Sequence, residues 1–170
     1  IVVDTGESCI VAHNFIANVP DEYAISVNLA QVDRVVINRY MLCRNHQVLN
    51  NVLTGCPRRI LLAKATDNRC DGNFYDRRDD SVSLCVEYPH PRARVSLASW
   101  QRGYQFDLHG GQAEIRAEFD PEALTLSVEI AGEVPAAVKV DALPGAPSTP
   151  GPWELRPGRQ VIQLRAGKPG

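Results

Sequence analysis

The chain has 170 residues, and 44% of them are hydrophobic, which is enough to bury a core and excludes a globally disordered protein. The net charge at pH 7 is −2 and the basic residues are scattered along the chain. This argues against a nucleic-acid-binding protein, because such a surface needs concentrated positive charge. The longest apolar runs, such as residues 60–63, are too short to span a bilayer.

The compartment is indicated by the first residue and by the cysteines. The chain begins with Ile1 rather than Met, which we interpret as the result of a cleaved signal peptide, although a truncated N-terminus would look the same. Five cysteines against a single methionine fit an oxidising compartment. We therefore expect an exported bacterial protein that is periplasmic, outer-membrane associated or extracellular.

The first half of the chain, residues 1–91, predicts a mixed α/β lobe. Short β-branched runs predict two strands within residues 1–16, and alternation of apolar and polar residues predicts a strand over 22–29. Apolar residues then recur at intervals of three and four, which predicts one helix over 45–54. A buried strand is expected over 58–65.

Two cysteines bracket a segment that predicts a β-hairpin. Its arms are residues 74–75 and 81–88, and its charged tip is residues 76–80. Cross-strand placement of Cys70 and Cys85 would bring their Cα atoms within disulfide range. We therefore expect a disulfide that ties this hairpin.

Three further cysteines remain, so they cannot all pair within one chain. Cys43 and Cys56 flank the predicted helix, and a bridge between them would leave Cys9 as the odd thiol or as an intermolecular bridge. The competing arrangement pairs Cys9 with Cys43 or Cys56 and leaves the other as a buried thiol. The first arrangement predicts an oligomer or another assembly.

The second half, residues 92–170, predicts a β-sandwich lobe. Alternation over 104–108, 113–119 and 124–130, separated by Gly and Asp-Pro turns, is typical of short antiparallel strands. A last strand is expected over 161–165. The predicted fold class is thus mainly β, with a β-sandwich-like C-terminal lobe joined to a mixed α/β, disulfide-containing N-terminal lobe.

Residues 126–170 resemble the PEGA domain, a small bacterial β-module. The matching features are an Ala-x-Val-x-Val-Asp strand ending at Asp141 and a Leu-x-Pro-Gly strand entry at Pro157 and Gly158. The sequence departs from the pattern at Gln160, where the family usually has His, and at Ala142, where it usually has Gly. The family occurs on envelope-associated bacterial proteins, so the resemblance implies export and no chemistry of its own.

Residues 53–87 resemble the front of a family of bacterial zinc metallopeptidases. The likeness lies in the two cysteines, Cys70 and Cys85, around the segment with Phe74 and Tyr75. No His-Glu-x-x-His motif follows, so the resemblance implies a shared scaffold rather than the family's zinc site.

Metal binding has one weak candidate set in the sequence, which consists of Cys9, His13, Cys43 and His46. Cysteine and histidine are zinc ligands, and the spacings within each pair are plausible. However, a strand through Cys9 would spread residues four apart by more than about 12 Å, which is poor for joint ligation. We therefore expect neither a bound metal nor another cofactor.

A binding patch is suggested by Trp100, Arg102 and Tyr104, since aromatic and cationic side chains together can hold a glycan or a peptide. The alternative is that the aromatic residues belong to a core strand.

These observations predict a non-enzymatic protein of the cell envelope or the extracellular space that acts through contacts with other proteins. Two alternatives from other classes stay open: a degenerate or zinc-dependent hydrolase, and a carbohydrate-binding module. Stoichiometric zinc in the purified protein would favour the first alternative, and a response on a glycan array would favour the second.

Overall fold

The structure is a computed structural model that describes residues 1–4, 6–28, 43–62, 67–79, 83–86, 93–135, 139–140 and 153–163. It is mainly β, as the sequence predicts, and the described residues contain a single short helix. None of the helical structure in these residues has the length and apolarity needed to cross a membrane.

The chain winds through four successive coils and then a short antiparallel extension. The first coil contains β1 (Val2–Asp4), β2 (Gly6–Glu7), β3 (Ile10–Ala12) and β4 (Phe15–Ala17). The second contains β5 (Ile25–Asn28), β6 (Cys43–Arg44), β7 (Gln47–Leu49) and β8 (Val52–Thr54). The third contains β9 (Ile60–Leu62), β10 (Arg69–Asp71) and β11 (Phe74–Asp76). The fourth contains β12 (Leu84–Val86), β13 (Ala93–Val95), α1 (Leu97–Tyr104) and β14 (Gly111–Asp120). The extension contains β15 (Thr125–Ala131), β16 (Lys139–Val140), β17 (Trp153–Glu154) and β18 (Gly158–Gln163).

Corresponding strands of successive coils pair in parallel and form three sheets. Sheet A has the order β1-β5-β9-β12, with β13 antiparallel at its end. Sheet B has the order β3-β7-β10, and sheet C has the order β4-β8-β11-β14-β15-β18, in which the last two pairings are antiparallel. The first three coils each add one strand to all three sheets, and the fourth adds strands to sheets A and C. This arrangement is a parallel β-helix, a solenoid in which each coil contacts its neighbours.

The interior of the solenoid is filled by stacked apolar side chains. Ile25 lies beside Ile60, and Leu62 lies between Val27 and Val86, in rows that cross sheet A. All of these side chains are buried, at 4% exposure or less. Burial of one such side chain contributes about 1.5–3 kcal/mol, so stacking one coil on the next is the main source of stability.

A second apolar cluster lies on the other side of sheet C. It joins Val52 and Phe74 of the coils to residues of β14, β15 and β18, with Leu155 packed against them. Gly111 permits this packing, because a Cβ atom there would stand 2.7 Å from Cγ of Pro135. Strands from both sides of residue 91, the predicted lobe boundary, therefore share one sheet and one apolar cluster.

The corner between sheets B and C is built alike in three coils. A residue with positive φ (His13, Asn50 or Gly72) is followed each time by an asparagine, which is Asn14, Asn51 or Asn73. Asn51 Oδ1 accepts hydrogen bonds from the backbone N and from Nδ2 of Asn14, at 3.1 and 2.9 Å. Asn73 Oδ1 accepts the same pair from Asn51, at 3.0 and 2.9 Å. We call this stack the asparagine ladder.

The ladder fixes the register of the coils. It satisfies backbone N–H groups that would otherwise be unpaired at a buried corner, where a polar group without a partner is costly. Every described rung adds a backbone bond and a side-chain bond to the next coil. The corner therefore specifies which residue lies above which, independently of the apolar rows.

Several predictions for the first half are corrected by these coils. The predicted helix over 45–54 is wrong, because this segment forms β7 and β8. Its period of three to four arises from two short strands joined by a two-residue corner. The predicted hairpin over 74–88 is also wrong, since β11 pairs in parallel with β8 and β14, and β12 pairs in parallel with β9. The buried strand expected over 58–65 is confirmed over Ile60–Leu62, which is β9, and residues 63–65 lie outside the described residues.

The second half agrees with the predictions in its strands but not in its architecture. The strands over 113–119 and 124–130 are confirmed as the antiparallel pair β14 and β15. They extend sheet C, and the described strands do not form a separate sandwich. The strand predicted over 104–108 is not formed, because Tyr104 ends a helix, α1, and residues 105–108 lie on no strand. Ser96 is the N-cap of α1, since Ser96 Oγ accepts from Ser99 N at 3.3 Å.

The ladder predicts that Asn51→Ala is more destabilising than Asn14→Ala. Asn51 is fully buried, and its side chain makes bonds to Asn14, Asn73 and the carbonyl of Val11. Its removal leaves buried groups unpaired, at about 1–3 kcal/mol each. Asn14 is half-buried and ends the described ladder, so its loss should cost about half as much. Urea unfolding of both variants measures the difference, and equal losses would contradict the role given to the ladder.

Candidate functional site

The asparagine ladder ends in a buried carboxylate in the fourth coil. Asp107 Oδ1 accepts hydrogen bonds from the backbone N of Asn73 at 2.9 Å and from its Nδ2 at 2.8 Å, the same pair of bonds that the asparagines make. Asp107 Oδ2 accepts from Tyr75 Oη at 2.6 Å, from Trp100 Nε1 at 3.0 Å and from Cys70 Sγ at 3.2 Å. Asp107 itself is fully buried.

A carboxylate can accept all five hydrogen bonds, because both of its oxygens are acceptors. An asparagine side chain at this position would have to turn its NH₂ group, which is itself a donor, toward some of these donors. Burial raises the pKa of the Asp107 carboxyl, although the hydrogen bonds from Tyr75 and Asn73 act in the opposite direction. Burial and the neighbouring Asp107 hold the pKa values of Tyr75 and Cys70 well above their usual range, so both remain protonated donors. The cluster has no exposed atom for a substrate to reach, and we assign it a structural role.

A second buried carboxylate, Asp76, ties sheet C together. Its Oδ2 accepts from Thr54 Oγ1 at 2.9 Å and from Arg78 Nη2 at 2.7 Å, and its Oδ1 accepts from the backbone N of Ile115 at 3.3 Å. Burial raises the pKa of Asp76, but the hydrogen bonds from Arg78 and Thr54 outweigh it, so the pKa lies below its usual value. Like Asp107, this side chain is buried within the fold.

The candidate binding site is an open cleft of about 560 Å³ on the outer face of sheet A. Along each strand the side chains alternate between the interior and this face. Ser26, Leu61, Cys85 and Arg94 are partners in one row across β5, β9, β12 and β13. We call this space the sheet A cleft, and its lining is Glu22, Tyr23, Ser26, Arg58, Leu61, Cys85 and Arg94.

The base of the cleft is almost inaccessible to solvent, and the residues at its sides are polar. Leu61 and Cys85 are only 2% and 1% exposed, whereas Glu22, Arg58 and Arg94 are exposed. Burial raises the pKa of Tyr23, as does its hydrogen bond with Cys85, while Arg94 acts in the opposite direction. The phenol of Tyr23 thus interacts with both the thiol of Cys85 and the guanidinium group of Arg94.

The described residues of the lining are suited to binding a ligand. Its described residues include two arginines and one glutamate, and none of these described residues is a histidine. General acid–base or nucleophilic catalysis needs a nucleophile and a base within hydrogen-bond reach of each other. What these side chains offer instead is a set of donors around an apolar base, which suits a polar ligand with negative charge.

The zinc candidates are not assembled into a site. His46 Nδ1 accepts a hydrogen bond from the backbone N of Cys9 at 3.2 Å, so this nitrogen serves to hold two coils together. His46 is buried, and its Nε2 has no hydrogen-bond partner within the described ranges. In the described part of the chain, no group of three His, Cys, Asp or Glu side chains could hold a metal ion. His13 occupies a corner with positive φ, and the side chain of Cys43 lies outside the described residues.

The predicted aromatic patch is corrected by burial. Trp100 is fully buried with its indole on Asp107, so it cannot take part in a surface patch. Its ring packs against Phe106 at 4.9 Å and Tyr104 at 6.2 Å between centroids. Arg102 is exposed on α1, and Tyr104 is half-buried. The alternative interpretation, that the aromatic residues are core residues, is the one the structure supports, although Trp100 lies on a helix rather than on a strand.

The predicted disulfides are not formed. Cys70 and Cys85 are free and lie in sheets B and A, because no hairpin brings them face to face. Cys56 is also a free, buried thiol, which excludes the bridge to Cys43 or Cys9 in this structure. Cys9 is free and half-buried, and its role in an intermolecular bridge stays a prediction.

The sheet A cleft and the ladder were both missed by the sequence analysis. A usable signal existed in three short segments: His13-Asn14-Phe15-Ile16, Asn50-Asn51-Val52-Leu53 and Gly72-Asn73-Phe74-Tyr75. In each segment a corner residue and an asparagine precede two apolar or aromatic residues. Their spacings are 37 and 22 residues, and an irregular period of this kind hides a repeat.

We compared the chain with protein-family models, with curated proteins and with solved structures, and none of the three comparisons found a match. The function is therefore argued from the geometry.

The hydrogen bonds of Asp107 predict that even an isosteric substitution greatly lowers the stability of the fold. Asp107→Asn must turn an NH₂ group toward the donors of Asn73 or toward those of Tyr75 and Trp100, so it should destabilise the fold by roughly 2–4 kcal/mol. Asp120→Asn is the matched control. Asp120 Oδ1 accepts from the backbone N of Glu122 and of Ala123, and an asparagine oxygen can still do so. Thermal unfolding should separate the two variants, and similar melting temperatures would contradict the assignment.

Asp76 predicts a definite dependence of stability on pH. Its pKa is lower in the folded chain than in the unfolded chain, so its contribution is present above the unfolded pKa, about 3.9, and is lost as the pH falls through the folded value. Asp76→Asn should therefore lose less stability than the parent protein between about pH 5 and pH 3. Burial raises the pKa of Asp79, so Asp79→Asn should lose more over the same range. Urea titrations at several pH values test both signs, and parallel curves would refute them.

Proposed function

We propose that the protein is a non-catalytic binding protein of the cell envelope or the extracellular space, and that the sheet A cleft holds a saccharide that carries carboxylate groups. The observation that carries the proposal is the pair of exposed arginines, Arg58 and Arg94, at a polar cleft with an apolar base. A guanidinium group donates two parallel hydrogen bonds to a carboxylate, which provides both attraction and orientation.

The composition of the lining favours a saccharide over a protein partner. Protein interfaces depend on a central cluster of buried aromatic and apolar anchors, whereas the described residues of the cleft include a single aromatic residue, Tyr23. The hydroxyl groups of a sugar can pair with Glu22, Tyr23 and Ser26. This arrangement supports the carbohydrate-binding alternative of the sequence analysis.

The solenoid adds a geometric reason. Stacked coils give a long lateral face, and solenoid proteins use such extended faces for binding. The sheet A cleft spans strands of the second, third and fourth coils, since its lining comes from β5, β9, β12 and the antiparallel β13. A chain of linked sugars could follow the face from one coil to the next.

Export and a PEGA-like module over residues 126–170 are parts of the same proposal. They are supported by the sequence pattern of that region. The turn at Pro157 and Gly158 has the expected positive φ of 94° at Gly158. However, β18 pairs with β15, and β17 pairs with β16, so this turn does not join two paired strands.

Calorimetric titration with an oligouronate and with a neutral oligosaccharide of the same length tests the ligand class. We expect saturable binding of the acidic sugar and much weaker binding of the neutral one. Arg58→Gln and Arg94→Gln should each weaken the affinity for the acidic sugar by about tenfold, which corresponds to the loss of one charge-assisted contact.

Arg102→Gln is the control for net charge, because Arg102 is an exposed arginine on α1 that does not line the cleft. An equal loss in all three variants would indicate non-specific attraction between charges. No binding of either sugar would remove the saccharide from the proposal.

A further inference from the structure

A second cavity, of about 220 Å³, lies on the outer face of sheet B, beside its corner with sheet C. Arg69 and Asp71 face outward from β10, because they alternate with the buried Cys70. Leu49 is the cross-strand partner of Asp71. We call this space the sheet B pocket, and its described lining is Leu49, Asn50, Arg69, Asp71, Gly72 and His109. None of these residues lines the sheet A cleft.

The carboxylate of Asp71 holds the sides of the pocket together. Its Oδ1 accepts hydrogen bonds from the backbone N of Gly72 at 2.9 Å and from that of His109 at 3.0 Å. Its Oδ2 lies 2.9 Å from Nδ1 of His109 and 3.6 Å from Nη2 of Arg69. Burial raises the pKa of Asp71, but the hydrogen bonds from His109 and Gly72 outweigh it, so the pKa lies below its usual value. The carboxylate is therefore ionised near neutral pH, and both of its oxygens already have partners.

The contact with Asp71 determines what His109 can offer to a ligand. Because an ionised carboxylate only accepts hydrogen bonds, Nδ1 of His109 carries a proton and donates it to Oδ2 of Asp71. Nε2 lies on the far side of the ring from this bond, and the side chain of His109 is 74% exposed. A neutral ring has an acceptor at Nε2, whereas a protonated ring has a donor there. The protonation of this one nitrogen therefore decides whether the ring attracts an anion.

Three side chains that can donate hydrogen bonds come to the pocket from three successive coils. Asn50 belongs to the second coil, Arg69 to the third and His109 to the fourth. The backbone N of Asn50 donates to the carbonyl of Asp71 at 3.1 Å, so the corner that carries this amide is fixed to β10. The parallel stacking of the coils thus gathers an amide, a guanidinium group and an imidazole around one cavity.

We propose that the sheet B pocket binds a tetrahedral oxyanion, the group of a phosphate or sulfate ester, when His109 is protonated. Arg69 and protonated His109 together outweigh the single negative charge of Asp71. Donors on three different coils can each reach a different oxygen of a tetrahedral anion, whereas the planar carboxylate is matched by one guanidinium fork. The volume of about 220 Å³ also leaves room for part of the molecule that carries the anion.

The charges around His109 give the expected dependence on pH. Among the described residues of the pocket, the charged or titratable groups are Arg69, Asp71 and His109. The residues from the second coil, Leu49 and Asn50, carry no charge. Asp71 stays ionised and Arg69 stays protonated over the range in which histidines change their charge, about pH 5–8. Binding should therefore strengthen as the pH falls through this range.

Titration with sodium sulfate at constant ionic strength tests the pocket, because the charge of sulfate does not change over this range of pH. We expect saturable changes in the NMR signals of the backbone amides of Gly72 and His109. Binding should be at least about tenfold tighter at about pH 5.5 than at about pH 8. Arg69→Gln should weaken binding about tenfold at both pH values and keep the melting temperature of the parent, since Arg69 is 64% exposed. His109→Gln should weaken binding at the lower pH and remove the dependence on pH.

Arg102→Gln is the matched control, because Arg102 is an exposed arginine on α1 outside the pocket, and this variant should bind sulfate like the parent protein. Acetate should bind much more weakly than sulfate. A sugar phosphate and the matching sugar sulfate, compared at about pH 7, then distinguish the two sources of the oxyanion. The proposal would be overturned by the absence of saturable sulfate binding, by acetate that binds as tightly, or by a dependence on pH that persists in His109→Gln.

Discussion

The fold depends on one chain of hydrogen bonds that runs through a buried corner from Asn14 through Asn51 and Asn73 to Asp107. Apolar rows alone specify a parallel stack weakly, because Ile, Val and Leu fit at many registers. An amide at the corner removes this ambiguity, since a slip by one residue would leave buried donors and acceptors unpaired. The carboxylate at the end of the chain also recruits Tyr75 and Trp100, so the same bonds attach the closing helix to the coils.

The inner and outer faces of sheet A have different roles once these hydrogen bonds fix the register of the coils. Its inner side chains pack into the core, so its outer row of Ser26, Leu61 and Cys85 is free to form the base of a cleft. Arg94 stands on β13, and Arg58 lies in the short connection between β8 and β9. A rigid base with charged walls is suited to recognition, because little order has to be gained when a ligand binds.

The sequence predicted the composition of the fold better than its architecture. Alternation over 113–130 identified β14 and β15, because a long antiparallel pair with one buried face has a clear period of two. The coils were not predicted because their strands are only two to four residues long, which is too short to show a period of two. In β7 and β8 the apolar residues also happen to recur at the spacing of a helix. The cleft was missed because its residues come from three coils that only the parallel register brings together. The cysteines misled for a related reason, since Cys56, Cys70 and Cys85 serve as small buried side chains.

The corner between sheets B and C also affects where the sequence can accept insertions and deletions. Two residues join β3 to β4, β7 to β8 and β10 to β11, whereas the connections that leave sheet A range from the short link after β1 to the long segment between β5 and β6. Lengthening a loop costs little, about 0.6 kcal/mol for each doubling. Insertions and deletions can therefore accumulate in the connections that leave sheet A while the corner stays constant. Recognition and folding are encoded in separate parts of each coil, so new specificities can be grafted or evolved without rebuilding the scaffold.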